Sequence, residues 1–205
     1  MFISIYRSTE TEVRYARDNN LLKKNGFTFI EMLVVIAIVA ITTAIALPSF
    51  NAIINNNAIS VGVNELVGDL TYARNEAAKR GMRVVLCRSA NPGAANPTCG
   101  GTANTWTTGW LVFAVSDNNR VVPLYDTNQG DVLLATGQPV NSAIVIRSSS
   151  AANKNFEYNP DGTSNEGGNT AYFAFCDNRG VDHGRVITIL PVGRPKVTAA
   201  TTCTP

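Results

Sequence analysis

Histidine is almost missing from this sequence: His183 is the only one in 205 residues. That excludes every metal site built on two histidines and leaves one candidate general base of this type. Charge is scarce as well, at 16% of residues against about 25% in average proteins. With a formal net charge of +2, the average composition argues against a strongly basic nucleic-acid binder. Disorder fails the opposite test, because it needs low hydrophobicity and high charge, and 45% of these residues are apolar. The four cysteines show no CxxC spacing, so a metal site built on them lacks its usual signature. What fills the deficit is neutral polarity, with 22 Asn, 20 Thr and 11 Ser.

One segment breaks this pattern. From Phe27 to Leu47 there are 21 residues of which Glu31 alone is charged. As a helix they span about 30 Å, the thickness of a bilayer's hydrocarbon core. Lys23 and Lys24 precede the run, Arg14 and Arg17 lie farther back, and no basic residue follows until Arg74. The positive-inside rule therefore puts residues 1–26 in the cytoplasm and the remainder outside. A buried core helix would be shorter and more symmetrically flanked. A secretory signal peptide would be cleaved after the run, and Ala44-Ile45-Ala46 offers only a loose site. A carboxylate inside such a run costs about 2.5–3.5 kcal/mol on insertion scales, so Glu31 marks a function.

Gly26-Phe27-Thr28-Phe29-Ile30-Glu31, preceded by Lys23-Lys24 and followed by an apolar helix closed by Leu47-Pro48, resembles the processing motif of type IV prepilins and pseudopilins. The resemblance implies cleavage by a prepilin peptidase between Gly26 and Phe27, methylation of Phe27, and pairing of Glu31 with a neighbouring subunit's terminal amine. A buried carboxylate needs such a cation. Leu21 to Gly26 by itself reads as a typical leader, so translation is expected to begin at Leu21 or Leu22. Mass spectrometry of the precursor in a peptidase-deficient strain checks this, and peptides from residues 1–20 would refute it.

Beyond Pro48, which is expected to kink the helix, Ile59, Val63, Leu66, Leu70, Ala73 and Ala77 form one apolar stripe at alternating spacings of four and three. A coiled-coil partner competes with a packed domain for that stripe, but flanking charge pairs are missing. Gly81 reads as the stop. From Met82 the period becomes two, predicting strands at 83–87, 109–115, 120–125, 132–135, 143–147, 155–158, 170–176 and 185–190. Asp117-Asn118-Asn119 reads as a hairpin loop and Asn159-Pro160-Asp161-Gly162 as a strong turn. The expected fold class is α+β: leader 1–26, transmembrane helix 27–47, amphipathic helix 48–81 and a β-rich domain 82–205 with antiparallel sheet packed on the helix.

Later motifs narrow the resemblance. Ala73-Arg74-Asn75-Glu76-Ala77, Cys99-Gly100, Gly109-Trp110-Leu111-Val112-Phe113, Phe173-Ala174-Phe175-Cys176 and Gly193-Arg194-Pro195-Lys196 are similar to those of minor pilins and pseudopilins of the GspH/FimT type. In an oxidising compartment the four cysteines become disulfides. Three pairings are open, and proximity favours Cys87–Cys99 with Cys176–Cys203.

In the FimT branch, a C-terminal Gly-Arg-x-Arg motif is associated with DNA capture for natural transformation. Here Gly193 and Arg194 match, and Lys196 stands for the second arginine, keeping the charge without the planar fork. Arg179 and Arg185 are further candidate cations. Charge is segregated locally: 157–177 carries four acids and no base, and 183–205 carries three bases and no acid. Double-stranded DNA bound without sequence specificity is the implied ligand; an ordinary exposed turn is the plain reading. Asp161, Glu166, Asp177 and Asp182 lack the spacing of a calcium loop. Trp106 and Trp110 read as core or as base-stacking rings. Asp182-His183-Gly184 reads as a polar turn, and no enzyme activity or cofactor is expected. The functional expectation is a minor type IV pilin of the bacterial inner membrane, later periplasmic or extracellular in a filament with other pilins. The alternative is a type II secretion pseudopilin.

Overall fold

The computed structural model describes residues 26–102, 104–121, 124–137, 143–149, 155–164 and 169–203. The leader up to residue 25, with its alternative start, lies outside them, as do the side chains at 46–49 and the kink expected at Pro48. Helix α1 spans Phe29–Arg80, and the chain divides into two units after Ile45. In the first unit every described side chain of α1 is exposed. By length and composition α1 is the helix among the described residues that can cross a membrane.

In the second unit the apolar stripe of α1 turns inward. Ile59, Val63, Leu66, Leu70, Ala73 and Ala77 are all buried, and burying each Leu, Ile or Val contributes about 1.5–3 kcal/mol. The stripe packs on a domain rather than on a second helix. Gly81 ends α1 in the left-handed region, φ 65°, its N–H donating to the Ala77 carbonyl at 3.0 Å. A side chain there would be strained.

Eight strands follow among the described residues: β1 (Val84–Arg88), β2 (Trp110–Ala114), β3 (Val132–Gly137), β4 (Val145–Ser148), β5 (Asn155–Tyr158), β6 (Ala171–Cys176), β7 (Arg185–Ile189) and β8 (Pro195–Ala199). They form two four-stranded sheets, ordered β3-β2-β1-β5 and β4-β6-β7-β8, with every pairing antiparallel. Residues of both sheets share one core with the stripe of α1. Trp106 and Trp110 are fully buried in it, which makes them core rather than base-stacking rings. Trp106 meets Phe173 edge to face, centroids 4.9 Å apart. A smaller cluster of Val85, Cys87, Leu111, Phe113 and Val115 lies on the other face of β1 and β2.

Two expectations are corrected. No strand forms at the described residues of 120–125, and β2 pairs with β3 instead. Arg120 is committed to a loop network, its guanidinium on Asp131 at 2.7 Å. The same carboxylate accepts the Ser116 and Asp126 N–H groups at 3.1 and 3.0 Å. Second, Pro195 to Val197, expected in a turn, belong to strand β8. Pro195 opens it at the edge of its sheet, one of the places where a strand tolerates the missing N–H.

Beside the loop network, Arg83 and Glu157 form an ion pair of 2.9 Å with side chains only 9% and 10% exposed. Arg83 also donates to the Arg120 carbonyl. The disulfides are Cys87–Cys99 and Cys176–Cys203, with Cα atoms 5.6 and 5.8 Å apart. Closing loops of this size stabilises by about 3 kcal/mol each in the chain-entropy argument.

Asp69 of α1 reaches the sheet, accepting the Trp110 indole N–H at 2.6 Å. Burial raises its pKa, the Trp110 hydrogen bond opposes this, and Glu65 adds to the rise. The contribution of Asp69 to stability is therefore fully present below the ordinary aspartate range and lost as pH rises through the raised folded-state value. Asparagine keeps the acceptor without the charge. Asp69→Asn is expected to gain stability relative to the parent as pH increases from about 4 to 7, read by denaturant titration in detergent. A gap that stays constant with pH would refute this.

Candidate functional site

The N-terminal candidates lie where helical order begins. Gly26, Phe27 and Thr28 precede α1. The Glu31 N–H donates to Thr28 Oγ1 at 3.3 Å, and the Thr28 N–H donates to the Glu31 carboxylate at 3.4 Å. This is a reciprocal capping box. The Thr28-x-x-Glu31 spacing is the sequence signal of this box, hidden inside the processing motif. Glu31 thus closes the first turn of its own helix, with its carboxylate held at the end that carries the positive pole of the helix dipole.

The C-terminal candidates divide. The hairpin between β7 and β8 turns at Leu190–Gly193, where the Gly193 N–H donates to the Leu190 carbonyl at 2.8 Å. Gly193 has φ 81°, and a Cβ there would overlap the Gly162 carbonyl oxygen and crowd Arg74 and the Tyr158 ring. Only glycine fits. Arg194 follows it and is exposed, as is Lys196. Lys196 belongs to β8, opposite Thr188, so the turn itself holds only one of the two cations.

A second turn braces the first. The Gly162 N–H donates to the Asn159 carbonyl at 2.9 Å, and the Ser164 N–H to the Pro191 carbonyl at 2.9 Å. Arg74 of α1 ties both turns to the helix, its Nε–H donating to the Gly162 carbonyl at 2.8 Å and an Nη2–H to the Val192 carbonyl at 3.1 Å. Behind it the Tyr158 hydroxyl is buried, with no hydrogen-bond partner among the described residues. Burial pushes that phenol well above its ordinary pKa, and the charge of Arg74 works against the shift. Nothing local in the sequence marks this role for Arg74, whose partners lie 88 and 118 residues away. Arg74→Ala is expected to cost about 1.5–3 kcal/mol, the range for hydrogen bonds to charged groups. It is also expected to accelerate hydrogen exchange at the Ser164 and Gly193 amides ahead of β1 and β2. Uniform acceleration across both sheets would refute a local clamp.

Arg179 and Arg185 are not brought to the turn. Arg179 forms an ion pair with Asp177 at 2.6 Å and donates to Asn56 Oδ1 at 2.8 Å, pinning the loop after β6 to α1. Burial opposes charge on Asp177, but the hydrogen bonds and charge of Arg179, with His183, hold its pKa below the ordinary value. Arg185 sits opposite Ala199 at the far end of the hairpin, about 14 Å along β7 from the turn. It lines a small cavity of about 170 Å³ with Asn56, Ser60, Asp182 and His183. The cysteines are consumed in the two disulfides, so none stands beside His183 as a thiol nucleophile.

The sequence matches two family profiles. One, described as type II transport protein GspH, covers residues 62–193. The chain belongs to the GspH family. The other, the prokaryotic N-terminal methylation motif, covers residues 21–47. Together they make this a type IV minor pilin or pseudopilin. The fold is that of the type IV minor pilin FimU of Pseudomonas aeruginosa strain PAO1. In one crystal form the TM-score is 0.52 at 19% identity, covering 72% of this chain and 96% of that one. In a second form the values are 0.50 and 19%, covering 71% and 99%. No curated protein matches the sequence. Members of this family are structural subunits. In this GspH chain the prepilin motif and apolar helix imply membrane anchoring and a place in a pilus or pseudopilus, with other pilins and the prepilin peptidase as partners.

Proposed function

We propose that this chain is a minor type IV pilin without enzymatic activity, cut by prepilin peptidase between Gly26 and Phe27 and methylated on Phe27. Residues 27–47 hold it in the inner membrane with its N-terminus cytoplasmic, residues 48–81 continue the helix, and residues 82–205 form the displayed domain. Glu31, already at the first turn of α1, pairs with the terminal amine of a neighbouring subunit during assembly. The filament then presents Arg194 and Lys196 to double-stranded DNA, which they bind through phosphate and without sequence preference.

The observation that carries the DNA reading is the support under Arg194. The cation is exposed, yet it follows a glycine locked between Gly162, Tyr158 and Arg74. Its position is preorganised, so little ordering entropy is lost on binding. Arg179, bound to Asp177 and Asn56, is left out of the DNA contact, and Arg185 is too far along the hairpin to share it.

The second reading is a type II secretion pseudopilin, favoured by the description of the matching family. Deleting the gene and measuring DNA uptake and protein secretion separately discriminates the two. The pilin reading expects uptake to fall and secretion to persist. It also expects complementation with Arg194→Ala/Lys196→Ala to restore assembly but not uptake. Loss of secretion alone would move the chain to the second reading. Mass spectrometry of the mature N-terminus tests the processing site, with methylated Phe27 expected.

A further inference from the structure

The register of the second sheet places Lys196 on a face that the sequence did not reveal. Ile146, Phe173, Phe175, Ile187 and Ile189 are fully buried on the side facing α1. The residues between them point the other way, because side chains alternate along a strand. Cross-strand partners define two rows on that outer face. Arg147, Ala174, Val186 and Thr198 form one, and Tyr172, Thr188 and Lys196 the other. Arg194 lies just beyond the second row, at the end of the hairpin. Arg147 is at the opposite edge of the sheet, three strand spacings or about 14 Å from β8.

Among the described residues these rows contain no carboxylate. Arg147, half-buried at its base in the sheet, has no ion pair with a described residue. Between the cations, Tyr172, Val186, Thr188, Thr198 and Ala199 line a shallow groove of about 240 Å³ together with Thr201 and Thr202 of the tail. Threonine and tyrosine side chains on a carboxylate-free floor that also holds Val186, with cations on two sides, match a phosphodiester backbone in charge and offer it hydrogen-bond donors. Tyr172 is the one aromatic ring in the rows. A surface for single strands stacks successive bases on several rings, so the occupant is a duplex contacted through its phosphates.

We infer that the outer face of the second sheet, from Arg147 to Lys196, is the main duplex-DNA surface, with Arg194 at its margin. This rests on the DNA reading above and extends it from one turn to a face that includes a cation on another strand.

The test uses the processed full-length chain in nonionic detergent and fluorescence anisotropy with a short labelled DNA duplex of mixed sequence, titrated at several salt concentrations. Arg147→Ala is expected to weaken binding by about 3–10-fold and to reduce the slope of log K against log salt by about 0.9, the contribution of one phosphate. Arg147→Lys is expected to restore most of the affinity. Thr198→Glu, which adds a carboxylate at an exposed position on the edge strand β8 two residues from Lys196, is expected to weaken binding more than about 10-fold. Lys79→Ala, an exposed cation on α1, is expected to change nothing. If Arg147→Ala and Thr198→Glu bind like the parent while Arg194→Ala/Lys196→Ala does not, the face is overturned and the turn stands. If Arg147→Ala weakens binding and the double variant does not, the turn reading fails and the face stands. Arg147→Lys binding as weakly as Arg147→Ala would mean a packing role and would overturn the proposal. No duplex binding by the parent overturns both.

Discussion

Arg83→Met is expected to lower the unfolding free energy by about 3–5 kcal/mol, because it removes a buried cation from beside the Glu157 carboxylate, to which Asn155 also donates at 2.8 Å. The pair is 2.9 Å long with both side chains about nine-tenths buried, so bulk solvent screens it little. Arg83 also holds the backbone of the loop after β2 through the Arg120 carbonyl, and its own N–H donates to Asn118 Oδ1 at 3.0 Å. Methionine keeps that backbone donor, so the loss spreads into the Arg120–Asp131 network through the Arg120 carbonyl alone. Removing both charges is a different experiment. Arg83→Met combined with Glu157→Leu fills similar volume with apolar groups and is expected to recover most of the loss, since well-packed replacements of buried ion pairs are often neutral. Denaturant titration of the four members of this double-mutant cycle measures the coupling. Single variants that cost less than about 1 kcal/mol would show a pair screened like a surface one.

Gly193→Val is expected to cost about 2–5 kcal/mol and to weaken duplex binding with it. The left-handed backbone alone costs a side chain about 1–2 kcal/mol, and overpacking adds about 1–3 kcal/mol. The obstruction is backbone, the Gly162 carbonyl, with Arg74 and Tyr158 close by. None of these is the free end of a flexible chain, so the hairpin must move away from the Asn159–Gly162 turn and carry Arg194 with it. The readouts are a lower denaturation midpoint and a lower affinity for duplex in the anisotropy titration. A variant that loses stability but binds duplex like the parent would show that the position of Arg194 is not set by this turn.

The stripe of α1 was legible because a helix must bury one side, and that side repeats at three and four residues. Both disulfides followed from proximity along the chain. The false strand at 120–125 reads as an apolar run behind Arg120, but that arginine is claimed by Asp131, and no local run in the sequence records that partner. The missed β8 fails in the other direction. Gly193, Arg194 and Pro195 all signal a turn, and only pairing with β7 turns the residues from Pro195 onward into a strand. The candidate cations show the same limit. Arg179, Arg185, Arg194 and Lys196 look alike in composition, whereas their partners separate them into a clamp, a cavity wall and two solvent-facing groups. Arg147 was invisible as a candidate because its neighbours on the outer face come from strands 25 to 50 residues away.

The two disulfides have a mechanical consequence. One joins β1 to its following loop, and the other joins β6 to the tail; neither crosses from α1 to a sheet. A subunit pulled through its helix therefore passes tension to the rest of its domain through the backbone link at residues 81–83 and, across the packed seam beside that link, only through non-covalent contacts. These are the apolar stripe, the Asp69–Trp110 bond, the Arg74 clamp and the Arg179 tether. Oxidation toughens each sheet without reinforcing the seam beside it. No disulfide spans that seam, so its resistance to load comes from burial and hydrogen bonds.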